Sequence, residues 1–89
     1  MRNNDLIERF IQGETKAKGS NLKIEGNKLI NYTTCIAYRI GRTIYLDSNQ
    51  YSSTTSRHQN YIRRNAYNVV EMAHDELKKF VFDNYDAVI

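Results

Sequence analysis

Apolar positions along the chain follow three successive rhythms. Leu6, Ile7, Phe10 and Ile11 recur at spacings of three and four, which predicts a short amphipathic helix packed on the domain's own core, with a partner surface as the alternative use of the same stripe. Asp5 followed by Glu8 fits a capping pair at its start, and Gly13 is a natural stop. Residues 14–21, charged and small, read as a loop. The period then shortens to two. Leu22 and Ile24 alternate before the turn Glu25-Gly26-Asn27-Lys28, and Leu29–Tyr32, Cys35–Ile40 and Thr43–Asp47 follow as further strands. Ile36, Tyr38 and Ile40 are expected on one face, as are Ile44 and Leu46. Gly41 marks a tight hairpin, where a residue without Cβ takes positive φ at no steric cost.

The third rhythm is helical again. Ser56 and Gln59 stand in the S-x-x-Q relation, which predicts a helix start at Ser56, with Thr54 or Thr55 as alternative caps. Ile62, Ala66, Val69, Val70, Ala73, Leu77, Phe80 and Val81 then recur at threes and fours. This predicts one long helix from 56 to 83, or two helices breaking near Asn68. Residues 84–89 read as a short tail. The fold class is therefore α+β: an N-terminal helix, an antiparallel sheet of three or four strands, and a long or broken C-terminal helix packed on the sheet. The expectation is one domain over residues 1–89. The C-terminal apolar stripe is long for so small a core and leaves room for a homodimer through that helix.

Composition narrows the function classes. A chain of 89 residues supports one modest core. No stretch approaches the roughly 18 apolar residues of a membrane span, and the first residues lack the apolar core of a secretion signal. A single cysteine, Cys35, excludes an internal disulfide, and with only His58 and His74 beside it the chain lacks a usual structural zinc set. No cofactor or metal is expected, no membrane partner, and the cytoplasm is the expected compartment.

Charge is uneven. The net +3 divides into +1 over residues 1–19, +2 over 20–51, +3 over 52–68 and −3 over 69–89. The basic middle holds the segment Tyr51–Arg64, YSSTTSRHQNYIRR. On a helix starting near Ser56, Arg57, Asn60 and Arg64 share one side, Arg63 lies about 100° from Arg64, and His58 and Ile62 face inward. Ser56, Arg57, Arg63 and Arg64 are the candidate phosphate contacts, because free N–H groups and hydroxyls gather at a helix start. Gln59 and Asn60 have the chemistry for base edges, and Tyr61 beside the arginines suits a protein contact. The plainer reading of the same residues is capping, solvation and pairing of the arginines with Glu71 or the acidic tail.

No catalytic set is legible, and the chain is not expected to be an enzyme. Cys35 has no histidine and acid aligned with it, and reads as a small core residue. On a continuous helix His58 and His74 stand about 24 Å apart, too far to share a metal. Asp47, at a strand end, has no second carboxylate or base to work with.

The run Tyr51–Arg64, with the strand pair Ile36–Leu46 before it, resembles a small domain of unknown function found in phage and mobile-element proteins. That resemblance covers roughly residues 29–66. It implies a phage accessory protein acting in the host cytoplasm by occupancy, including inhibition of CRISPR effectors and other defence complexes. The expected function is thus non-enzymatic binding and inhibition or modulation of a host protein or nucleoprotein complex. The alternative is a small DNA- or RNA-binding protein that contacts phosphates through its basic helix.

Overall fold

In a computed structural model of the chain, residues 2–84 are described, so the expected tail lies, beyond Asn84, outside them. The element order is α1 (Asn3–Ile11), β1 (Lys16–Lys18), β2 (Leu22–Glu25), β3 (Lys28–Asn31), β4 (Thr34–Ile40), β5 (Thr43–Asp47), α2 (Ser53–Asn65), β6 (Asn68–Met72) and α3 (His74–Asn84). The strands form one sheet in the order β1-β2-β3-β4-β5-β6. The first five run antiparallel, and β6 lies parallel to β5, reached through α2 as a β-α-β crossover.

Three two-residue turns build the meander. Glu25 pairs with Lys28, Asn31 with Thr34 and Ile40 with Thr43. The first residue of each turn has positive φ: Gly26 at 63°, Tyr32 at 56° and Gly41 at 60°. Such turns twist in the sense of the flanking strands, which is why the glycines mark two of them in the sequence. Tyr32 takes the same conformation without a glycine's freedom.

One face of the sheet carries the main core. Leu6, Ile7 and Phe10 of α1 and Ile62 of α2 close over Leu22, Ile24, Leu29, Ile44 and Leu46, all at 1% exposure or less. The amphipathic reading of α1 holds, and Gly13 ends the helix at φ 100°. The expected Asp5–Glu8 cap does not form. The helix begins at Asn3 after Arg2, which gives no side-chain cap, and Asp5 sits inside the first turn.

Ile36, Tyr38 and Ile40 do not share a face. The register shifts between Leu29 and Ile30, where Leu29 pairs with Ala37 but Ile30 with Cys35. The extra residue, Ile36, lets Ile36 and Ala37 both join the main core. Tyr38 then points to the opposite face, where Phe80 of α3 meets Tyr38 edge-on at 6.2 Å and stacks on Tyr45 at 4.2 Å. The sheet is thus covered on both sides, by α1 and α2 on one and by α3 on the other.

Two strands were invisible in the pattern. In β1, Lys-Ala-Lys offers only Ala17 to the core, so there is no apolar alternation to read. β6 replaces the middle of the expected 56–83 helix. Ala66 already has extended ψ of 149°, and Val69 and Val70 pair with Ile44 and Tyr45. Two adjacent β-branched residues favour the pleated conformation that tertiary pairing selects here. The stripe that suggested a homodimer is accordingly split over three elements and is not one helix face.

The start of α2 also shifts. Ser52 is the N-cap, its Oγ accepting from the Thr55 N–H at 3.4 Å, while Ser56 donates its own N–H to the Ser52 carbonyl inside the helix. The segment has several hydroxyl residues in a row, and the burial of Thr55, His58, Gln59 and Ile62 decides which one caps.

Candidate functional site

Helix α2 brings part of the sequence-predicted set together. Its buried residues, Thr55, His58, Gln59 and Ile62, define an inner face. Ser53, Arg57, Asn60 and Arg64, spaced by four, three and four, lie opposite it, and all four are exposed. Arg57 and Arg64 make no ion pair among the described residues. The flanks are tied down. On one side the Tyr61 hydroxyl donates to Glu8 of α1 at 2.7 Å, and that bond raises the Tyr61 phenol above its ordinary range. On the other, Arg63 donates to Glu71 of β6 at 2.6 and 2.9 Å and to Asn60 Oδ1 at 2.8 Å. So Tyr61 and Arg63 serve as struts, whereas Arg57 and Arg64 are displayed. Ser56 is half-buried one turn inside the helix and does not form a helix-start phosphate cradle with Arg57.

The inner face of α2 carries a pH-sensitive group. His58 is 5% exposed and its Nε2 has no hydrogen-bond partner. Burial lowers its pKa from the ordinary histidine value, favouring the neutral ring in the folded state. The unfolded chain therefore binds the extra proton first. Its contribution is fully present above the unfolded pKa, roughly 6.5, and is lost as pH falls through the folded pKa. Urea denaturation at about pH 7.5 and about pH 5 should show lower stability at the acidic end. His58→Leu should shrink that difference, and an unchanged difference would clear His58 of the effect.

A second polar cluster closes the opposite end of the β5–β6 pair. Asp47, the last residue of β5, is fully buried. It accepts from the Asn49 N–H at 2.8 Å, the Tyr51 hydroxyl at 2.5 Å and His74 Nδ1 at 2.8 Å. A carboxylate only accepts, so His74 carries its proton on Nδ1 in this contact and leaves Nε2 for other work. Burial, then the bond to Asp47, push the Tyr51 phenol well above its ordinary range. Around them Gln59 Nε2 donates to the carbonyls of Asp47 and Asn49, Ser48 donates to the Met72 carbonyl, and the His74 N–H donates to Asn49 Oδ1.

The base that Asp47 lacked in the sequence is therefore His74, 27 residues away and delivered by the crossover. Asp47 at a strand end was visible as a candidate, whereas a helical reading placed His74 far along the same helix as His58. The pair has the form of an oriented acid–histidine dyad, but its thiol neighbour is not an activated nucleophile. Cys35 donates its S–H to the Ala37 carbonyl at 3.4 Å, and burial pushes the thiol up to about 11. Among the described residues no group of three metal-ligating side chains is placed to hold a metal ion. No helix of the described residues is long and apolar enough to cross a membrane.

Compared with protein-family models, curated proteins and solved structures, the chain gives no significant match. The geometry itself must carry the functional reading.

Proposed function

We propose that the protein is a non-enzymatic binding module that engages a host protein or nucleoprotein complex through the outward face of α2, with Arg57, Asn60 and Arg64 as its contact line. The supporting observation is the contrast within one helix. Tyr61 and Arg63 are tied to Glu8 and Glu71, while Arg57 and Arg64 stand seven residues apart on an exposed stripe with no carboxylate paired to them among the described residues. Seven residues of helix span about 10 Å. A helix held by a buried inner face fixes the backbone from which these guanidiniums project, so binding has only their side-chain freedom to order.

A second arginine–tyrosine pair is exposed beyond the helix end. Tyr67 is 76% exposed, and the Arg42 guanidinium lies 5.6 Å from its ring centre. Arginine and tyrosine are the side chains that most often dominate a protein contact. Carboxylates on both flanks give the surface mixed charge, which fits a protein partner with acidic groups better than a bare phosphate backbone. The resemblance of Tyr51–Arg64 to phage-type domains supplies the setting of a host cytoplasmic target, a defence complex among them.

The test pairs wild type with Arg57→Glu/Arg64→Glu. Fluorescence anisotropy with random-sequence DNA and RNA at about 50 and about 200 mM salt should show no salt-sensitive binding, since phosphate contact would give a steep loss over that range. Affinity capture from host lysate should recover a discrete complex with wild type and lose it with the double variant. Tight nucleic-acid binding abolished by the variant would instead make DNA or RNA the direct ligand.

A further inference from the structure

The sheet ends in β1 on one side and β6 on the other, and only one of these edges is guarded. β1 is three residues long and carries Lys16 and Lys18, which are common devices against pairing with another strand. β6 is five residues long and has no lysine, proline or bulge. Its one charged side chain, Glu71, is already held by Arg63 at 2.6 Å. Adjacent Val69 and Val70 favour the paired state.

The backbone of β6 shows which groups are free. Ser48 donates its N–H to the Met72 carbonyl, so Met72 turns its peptide groups toward β5. Successive residues of a strand turn theirs to opposite sides. Asn68 and Val70 therefore face β5 as Met72 does. Val69 and Glu71 present N–H and C=O to the open edge, where no other strand pairs among the described residues. Val70 stands opposite Tyr45, on the face that α3 covers, but α3 packs over β4 and β5. This leaves Val70 40% exposed.

We propose that β6 pairs antiparallel with β6 of a second copy of the chain, about a two-fold axis through Val70. A two-fold contact pairs each residue with its counterpart reciprocally, so the centre fixes the register. With Val70 on the axis, Asn68 faces Met72 and Val69 faces Glu71. Val69 and Glu71 then exchange backbone hydrogen bonds, and every free group of the edge finds a partner. Val70 meets its own copy at the closer spacing of a non-hydrogen-bonded pair, which covers its exposed side. The charged residue faces a valine, and the two Arg63–Glu71 pairs come together on the α2 side of the axis. Centring on Glu71 would oppose two carboxylates, and centring on Val69 would match only residues 68–70 of the strand. This edge is distinct from the α2 stripe, and the pairing needs no host contact.

Sedimentation velocity of wild type, Val70→Lys, Val70→Glu and a one-to-one mixture of the two variants tests it. Wild type should pass from monomer to dimer mass between about 10 μM and about 1 mM, the range of a small interface. Each variant alone should stay monomeric, because like charges then meet on the axis. The mixture should dimerise again, since opposite charges meet there only if residue 70 faces its own copy. Hydrogen exchange reads the same edge. The Val69 and Glu71 amides should exchange about tenfold or more slower in concentrated wild type than in Val70→Lys. Val70 is exposed, so both variants keep their fold, which a thermal melt verifies. The assignment is overturned by wild type that stays monomeric, by dimers that survive both variants, or by a mixture that stays monomeric. Equal protection of those amides in wild type and Val70→Lys also overturns it, and would mean that another segment or strand occupies the edge.

Discussion

Asp47→Ala is expected to lower the unfolding free energy by about 3–5 kcal/mol, because it removes the one buried carboxylate that three donors share. Asp47 is fully buried and is the common acceptor for Asn49, Tyr51 and His74. Hydrogen bonds to a charged acceptor contribute about 1.5–3 kcal/mol each, but Tyr51 and His74 are partly exposed and regain water when the carboxylate is gone. Their recovery keeps the cost below the sum of three bonds. A domain of this size has roughly 4–13 kcal/mol in total, so the variant should sit near its unfolding transition in mild urea. Asp47→Asn should cost less, about 2 kcal/mol, because its amide oxygen still accepts while its NH₂ faces donors. Urea denaturation at neutral pH reads both. A loss under about 1 kcal/mol for Asp47→Ala would mean that the cluster contributes little to holding α3 on the sheet.

That cluster also shows where sequence reading stops. The strands β2 to β5 were legible because each is short, apolar in part and bounded by at least one two-residue turn, so local chemistry and tertiary pairing agree on where they lie. β6 was not, because Ala66, Val69, Val70 and Ala73 fit a helical period and only the ladder to β5 makes Val69 and Val70 part of a strand. Once β6 is read as helix, His74 is carried away from Asp47 and the dyad disappears from view. The bulge at Ile36 is equally silent, since nothing local distinguishes a strand with one residue too many from a regular one. On α2 the opposite holds. The stripe of Arg57, Asn60 and Arg64 depends only on helical spacing, which survives a three-residue error in the start. What spacing leaves out is which arginine Glu71 takes, namely Arg63, and that Glu8 of α1, 53 residues away, holds Tyr61.

Phe10→Ala is expected to cost about 3–5 kcal/mol and to be felt first in α1. Phe10 is 0% exposed and, with Leu6, Ile7 and Ile11, joins α1 to β2 and α2. The nine residues of α1 fall short of the 12–15 or so that an isolated helix needs in water, and its N-terminus has no side-chain cap. Its helicity is therefore supplied by burial, and truncating the largest of its apolar anchors removes contacts that backbone hydrogen bonds cannot replace. The Tyr61–Glu8 bond remains in the variant, but a half-exposed polar contact contributes only about 0.5–1.5 kcal/mol. Hydrogen exchange separates local from global loss. Amides of Phe10, Ile11 and Gln12 should lose protection before those of β4 and β5, whose ladders do not involve α1. Phe82→Ala, at a side chain 83% exposed, should stay within about 0.5 kcal/mol of wild type and serves as the matched control. Simultaneous loss of protection in α1 and the central strands would show instead that the sheet cannot stay folded without its helical cover, because ten or so apolar side chains would then lose their shelter from water together.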